Sequence, residues 1–142
     1  MKRHFWQWQR LNRVEKAIFV EAAFLLCLVR AALWIVPFSI LRRFAERGAL
    51  PPRPPSNARE RERQACARAV HRLAHYVPRA TCLTQSLAVF LLLKRRRDPV
   101  CLQIGVAKGD AGKLLAHAWV ETPEGTRLTA SGGSGFVPLV RF

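Results

Sequence analysis

The hydrophobic pattern divides this chain into a helical front half and a strand-rich last third. Residues 11–35 are mostly apolar and contain neither proline nor glycine, which predicts a long helix. Pro37 ends or kinks that helix. Residues 38–47 predict a short second helix that closes at Gly48.

Two further helices are predicted between residues 57 and 97. The proline-rich segment 51–55 forms a stiff connector, after which Ser56 or Asn57 caps a helix that runs to Pro78. Its apolar stripe recurs at helical spacing, and its arginine-rich opposite face is expected to be solvated. Residues 82–97 are apolar on nearly every side, which is typical of a buried helix.

The periodicity then changes from helical to alternating. Apolar residues alternate over 100–106 and again over 114–121, which predicts two strands. Residues 122–125 predict a turn, 126–130 a returning partner strand, and 136–140 a last short strand. Helices that precede strands without alternation indicate the α+β class: N-terminal helices, then a cysteine-bearing helix and a small antiparallel sheet.

The length of 142 residues fits one structural domain. Within it we distinguish an apolar helical region over 1–50, a proline-rich connector over 51–57 and a core over 58–142. The formal net charge is +15, which indicates an acidic peptide, an anionic membrane surface or nucleic acid as a partner. A nucleic-acid partner is not expected, because the chain has no recognisable binding motif and its aromatic residues do not interleave with the basic run 42–72.

The apolar stretch 17–41 is not expected to span a membrane. Glu21 and Arg30 divide it, whereas a clean span needs about 18 apolar residues. Aromatic rings lie beside cations in residues 1–10, so contact with a membrane surface is an alternative to packing on the domain. The four cysteines form no CxxC pair and no evident disulfide framework, which favours the reducing cytoplasm.

Cys82 is the strongest candidate for chemistry. Thr81 is a suitable N-cap, which would place Cys82 at the first helical position, where unpaired amides and the helix dipole favour a thiolate. His117 lies on a predicted central strand and would serve as its general base. Each residue has a structural alternative: a cysteine packed as a small apolar side chain, and a histidine that only packs.

Three segments together resemble a known family. They are Cys-Leu-Thr-Gln-Ser-Leu-Ala at 82–88, Ile-Gly-Val at 104–106 and Ala-His-Ala-Trp-Val-Glu at 116–121. The chain resembles the small transglutaminase-like cysteine peptidases of lasso-peptide biosynthesis, over roughly residues 10–142. The resemblance implies a transglutaminase/papain-like fold, Cys82 as the nucleophile, His117 as its base and no cofactor.

The sequence departs from this family at the acid that orients the histidine. No Asp or Glu follows Glu124, so Thr129 or a backbone carbonyl is the candidate orienter. Gln85, one turn after Cys82, is a candidate oxyanion donor; a surface glutamine is the alternative. Trp119 is a candidate for shielding the site or contacting substrate, with core packing as the alternative. No metal site is expected, although two histidines, His71 and His75, stand at a metal-compatible spacing.

The implied activity is removal of the leader from a lasso-peptide precursor before or during ring closure. The resemblance implies three partners: the precursor leader, a small precursor-recognition protein acting in trans and an ATP-dependent cyclase. The location would be cytoplasmic, with the inner face of the membrane as a candidate surface. The alternative is a catalytically inactive transglutaminase-like module that presents a peptide to partner enzymes.

Overall fold

The computed structural model describes residues 12–40, 43, 51, 53–109, 112–129 and 135–142. The helices are α1 (Arg13–Ile35), α2 (Asn57–Ala74) and α3 (Cys82–Arg95), and the strands are β1 (Cys101–Lys108), β2 (Leu114–Glu121) and β3 (Val137–Arg141). Helices precede strands, so the predicted α+β class is confirmed. Residues 1–10 and most of the predicted helix 38–47 lie outside the described residues; residues 38–40 are helical.

Polar side chains fix where each helix begins. Asn12 and Glu15 form a capping box at the start of α1. Ser56 caps α2, and the Thr81 hydroxyl accepts from the Thr84 amide at 3.3 Å to cap α3. The prediction that Cys82 opens the buried helix is therefore confirmed.

The core lies between the three helices and one face of the sheet. The buried residues of α1 recur at helical spacing and pack against α2 and α3, in a core that the sheet also joins. The buried residues of α1 are Ile18, Ala22, Leu25, Leu26 and Val29. Leu102 and Val120 of the sheet belong to the same core. The apolar helical region of the front half thus shares a core with the residues that follow the connector.

The three described strands are antiparallel in the order β2-β1-β3. β1 and β2 pair from Cys101 opposite Glu121 to Lys108 opposite Leu114. The expectation that His117 lies on a central strand is wrong, because β2 is at the edge and β1 is central. The local pattern identifies strands but does not determine their order.

The predicted strand over 126–130 is also wrong for its described part, 126–129. It makes one isolated bridge, Glu121 opposite Arg127, and no continuous strand. The physical reason lies in the side chain of Thr129. Two backbone hydrogen bonds form, from the Leu128 amide to the Val120 carbonyl and from the Thr122 amide to the Thr126 carbonyl. The Val120 amide, however, donates to the Thr129 hydroxyl at 2.9 Å, so a side chain supplies an acceptor that a regular ladder takes from the backbone.

A buried ion pair joins α2 to the segment between α3 and β1. Arg63 of α2 and Asp98, just after α3, are both about 95% shielded, with side-chain exposures of 7% and 5%. The Arg63 Nε donates to both Asp98 oxygens at 2.9 and 3.0 Å, and Nη2 donates to one at 2.7 Å. This hydrogen bonding holds the pKa of Arg63 above its ordinary value. The expectation of a solvated arginine face is thus wrong at Arg63 and at the buried Arg59.

A second set of ion pairs holds α1 against its neighbours. Arg96 contacts Glu21 at 2.6 Å and Glu62 at 3.0 Å, so one guanidinium at the end of α3 binds both α1 and α2. Arg30 Nε donates to the Pro78 carbonyl at 3.1 Å. Both charges that interrupt the apolar stretch of α1 are therefore engaged within the fold.

Among the described residues, α1 alone is long and apolar enough to cross a bilayer by length and composition. Only 28% of its most apolar window is buried in the fold. An exposed apolar stripe therefore follows its outer side, with Val20, Phe24, Leu28, Trp34 and Ile35 as its large members.

We predict that Asp98→Asn lowers the free energy of unfolding by about 3–5 kcal/mol, because it leaves the Arg63 charge buried without its counterion. Urea unfolding measures this loss. The control is Glu60→Gln, which removes a half-exposed partner of the same guanidinium and should cost less than about 1 kcal/mol. Equal losses in the two variants would contradict a special role for the buried pair.

Candidate active site

Cys82 is held at a fixed helix start. It is half-buried and is the first residue of α3. The Thr81 and Thr84 hydroxyls are 3.1 Å apart, and the Gln85 side-chain amide donates to the Ala80 carbonyl at 3.1 Å. The Gln85 side chain therefore stabilises the loop that precedes Cys82. The sequence pattern does not indicate this hydrogen bond.

Ser86 attaches α3 to the edge of β2. Its hydroxyl donates to the Ala118 carbonyl at 2.9 Å and lies 3.0 Å from the Thr129 hydroxyl. Ser86 follows Cys82 by four residues, so the cysteine is about 6 Å further along the helix axis. The signal in the sequence is a serine within an otherwise apolar helix, because a buried hydroxyl needs a partner.

The ion pairs at Arg63 fix the direction of α3 relative to β2. Asp98 follows the end of α3 by three residues, and Glu124 follows the end of β2 by three residues. Both carboxylates contact the Arg63 guanidinium, at 2.7 and 3.4 Å. The two elements therefore run the same way, and the turn of α3 that begins at Cys82 meets β2 through Ser86 and Ala118, the residue after His117.

His117 is half-buried in β2, opposite Gly105 of β1. Its ring centroid is 5.1 Å from that of Phe136 and 6.1 Å from that of Trp119. Because side chains alternate along a strand, His117 and Trp119 share one face of the sheet, while Val120 faces the helical core. The imidazole thus stands on the edge strand that α3 contacts, among aromatic rings.

Trp119 is packed rather than exposed. It is 1% exposed, and its indole nitrogen donates to a Glu121 oxygen at 3.1 Å. The same oxygen accepts from Gln103 at 3.2 Å, and the Arg127 guanidinium lies 4.5 Å from the center of the Trp119 ring. Glu121 therefore positions Trp119, a role that follows from their spacing of two residues on one strand face.

Gly105 provides the space that the Trp119 ring occupies. A Cβ atom at this position would lie 2.8 Å from the Trp119 Cη2 atom and 2.6 Å from the Val137 carbonyl oxygen. Glycine is thus required by close approach on two sides. The glycine of the Ile-Gly-Val motif therefore allows Trp119, the neighbour of His117 on the same sheet face, to pack against β1.

Thr129 lies on the α3 side of β2. Its hydroxyl accepts from the Val120 amide and is within hydrogen-bonding distance of Ser86. The described contacts join Thr129 to the edge of β2 next to the Ala118 and Val120 backbone. A role for it in orienting His117 stays a prediction.

The other thiols and histidines offer less chemistry. Cys66 is completely buried in the core, and burial raises the pKa of its thiol to about 12. His71 and His75 stack edge to face, with ring centroids 5.3 Å apart. The described residues contain no group of three or more metal-ligating side chains that could hold an ion.

Comparison with known proteins assigns this sequence to a superfamily. The sequence profile of the transglutaminase-like superfamily matches residues 24–141, so the chain belongs to this superfamily, which includes cysteine peptidases and transglutaminases. The mixed arrangement of helices and a small antiparallel sheet is consistent with its papain-like fold. No curated protein and no solved structure matches the chain. The resemblance found in the motifs is confirmed at the level of the superfamily.

We predict that Gly105→Ala destabilises the fold by about 1–3 kcal/mol, because the added methyl group overlaps the Trp119 ring and the β3 backbone. Urea unfolding gives the loss, and near-ultraviolet circular dichroism reports the displaced indole. The control is Gly125→Ala, where φ is +84° and nothing lies within 4 Å of the new atom. It should cost about 1 kcal/mol of backbone strain and leave the indole signal unchanged. An unchanged indole signal in both variants would contradict the close approach.

Proposed function

We propose that this protein is a cysteine peptidase that removes the leader from a lasso-peptide precursor. One observation supports it most: Ser86, one turn after Cys82 on α3, donates to the carbonyl of Ala118, the residue after His117 on β2. The motifs around both residues resemble those of lasso-peptide leader peptidases. Superfamily membership supports the cysteine chemistry, and the motif resemblance supports the substrate.

In the proposed reaction, His117 takes the proton of the Cys82 thiol, and the sulfur attacks the carbonyl carbon at the leader–core junction. The backbone amides of Cys82 and Leu83 precede the first helical hydrogen bond, from Gln85 to Thr81, and stabilise the resulting oxyanion. The imidazolium then protonates the departing amine of the core peptide, leaving a thioester on Cys82. Water, deprotonated by His117, releases the leader and restores the thiol.

The sequence has no acid after Glu124, where the resembling family has one. The proposed orienters of His117 are therefore Thr129, a backbone carbonyl and the aromatic rings that flank the imidazole. Trp119, held by Glu121, excludes water from one side of the ring. Gln85 shapes the loop before Cys82, and its amide is the candidate side-chain oxyanion donor.

The partners are proposed from the same resemblance. A small recognition protein would hold the leader, and an ATP-dependent cyclase would close the ring on the released core. The proposed location is the cytoplasm. No cofactor takes part in the proposed chemistry.

We predict that the purified chain, mixed with a lasso-type precursor and a recognition partner, cleaves one leader–core bond. Cys82→Ala and His117→Ala should each reduce the rate at least about 100-fold, because nucleophile and base act as a unit. Mass spectrometry of the peptide measures cleavage. Cys27→Ala and His75→Ala are matched controls at exposed positions and should keep full activity.

The alternative, an inactive module that presents a peptide, is favoured by the missing carboxylate. The same experiment decides between the two. Precursor that binds the wild-type chain but stays intact would support the module. Cleavage that survives in Cys82→Ala would contradict the proposed nucleophile.

We further propose that the outer stripe of α1 lies on the inner surface of the membrane. The stripe is apolar over most of the helix, and the surplus of cations suits anionic lipids. Glu21 and Arg30 are bound within the fold, which favours a helix lying on the surface over one that spans.

We predict that the protein floats with vesicles containing phosphatidylglycerol, and that Phe24→Asp abolishes this because it puts a charge into the stripe. Leu139→Asp is the control, since Leu139 is as exposed as Phe24 but lies on β3. Flotation that fails for the wild type, or that both variants lose equally, would contradict the proposal.

A further inference from the structure

A cleft of about 550 Å³ lies between α2, α3 and residues 127–129. Its apolar lining comes from Ala67, Val70, Val89 and Leu128. Arg68, Arg72 and Arg127 line this cleft together with His71, and the Arg127 guanidinium also lies 4.5 Å from the centre of the Trp119 ring. No carboxylate is among the lining residues, so the cleft combines an apolar surface with concentrated positive charge.

These three arginines differ from the arginines that support the fold. None of the ion pairs between described residues includes them, whereas Arg63 and Arg96 each bind two or more carboxylates. Glu15 shares a smaller neighbouring cavity with Arg68 and Arg72, but its carboxylate accepts from the Asn12 amide in the α1 capping box. Clustered cations in a cleft attract an anionic ligand.

One end of the cleft lies about one helical turn from Cys82. Gln85, which lines it, follows Cys82 by three residues, and Thr129, which also lines it, contacts Ser86. From Cys82 to Val89 the helix rises about 10 Å, a span that an extended peptide covers with about three residues. A peptide whose scissile bond lies at Cys82 therefore reaches the arginines within a few residues.

We propose that this cleft binds an acidic segment of the peptide substrate, about three residues from the bond that is cut. That the bound peptide is a substrate rests on the proposed peptidase function, but the binding itself requires no catalysis. A peptide fits better than nucleic acid, because none of the lining residues is a Phe, Tyr or Trp on which bases could stack. The apolar lining suits the side chains between the acidic ones.

The test uses the full chain and fluorescein-labelled decapeptides that carry three glutamates or, in a matched peptide, three glutamines. We expect the glutamate peptide to bind more tightly, with an advantage that falls as salt rises. Arg68→Gln, Arg72→Gln and Arg127→Gln together should weaken its binding about tenfold, the effect expected from losing three exposed ion pairs. Thermal unfolding checks that the triple variant is folded.

The control removes the same charge elsewhere: Arg13→Gln, Arg61→Gln and Arg97→Gln together. These three residues are exposed and do not line the cleft. Equal losses in both triple variants would overturn the cleft as the site, because net charge alone would then explain binding. Equal affinity for the two peptides, or tighter binding of a single-stranded DNA decamer, would overturn an acidic peptide as the ligand.

A second arm separates this inference from the proposed reaction. Binding is measured in Cys82→Ala, and precursor cleavage in the cleft variant. Selective binding of the glutamate peptide without any precursor cleavage by the wild type would retain the cleft and reject the peptidase. Cleavage whose KM is unchanged by the three cleft substitutions would retain the peptidase and reject the cleft.

Discussion

The arrangement of this fold depends on one buried charge, the guanidinium of Arg63. A charge removed from water is tolerated only where counterions and hydrogen bonds replace the lost solvation, and Asp98 supplies three such contacts. Because Glu124 binds the same group, the residues just after α3 and just after β2 must meet at one point of α2. Sliding α3 would separate Asp98 from Arg63 or break the buried hydrogen bond from Ser86 to Ala118 of β2, so these buried contacts together select one alignment.

That alignment also determines the position of the start of α3, where Cys82 lies. The end of α3 is tied through Arg63 and Arg96, so the start of α3 is also fixed in place, and Ser86 holds it to the edge of β2. The nucleophile candidate therefore stands on a rigid element, next to the strand that carries the base candidate. Rigid first-turn placement is what nucleophilic catalysis needs, since small displacements of reacting groups lower rates strongly.

The sequence was sufficient for features set by local periodicity and insufficient for those set by distant partners. Strand β2 follows from alternation, and the cap at Thr81 follows from residue type, because both depend on neighbours along the chain. The edge position of β2 and the bridge at Arg127 depend on which segments pair across space. Buried Arg63 looked like a surface residue, because a helical pattern cannot reveal an Asp 35 positions later. The proposed catalytic roles of Cys82 and His117 rest on the motifs around them and on the position of Cys82 at the start of α3.

The arginines illustrate why composition alone says little about a binding surface. A net charge of +15 is a sum over residues that serve different ends. Arg63 and Arg96 form ion pairs within the fold, so reversing their charge would test stability rather than ligand recognition. Arg68, Arg72 and Arg127 keep theirs at an open cleft that starts one helical turn from Cys82. Other exposed arginines, such as Arg61 and Arg97, do not line this cleft, so what distinguishes the proposed site is the grouping of three cations around apolar side chains.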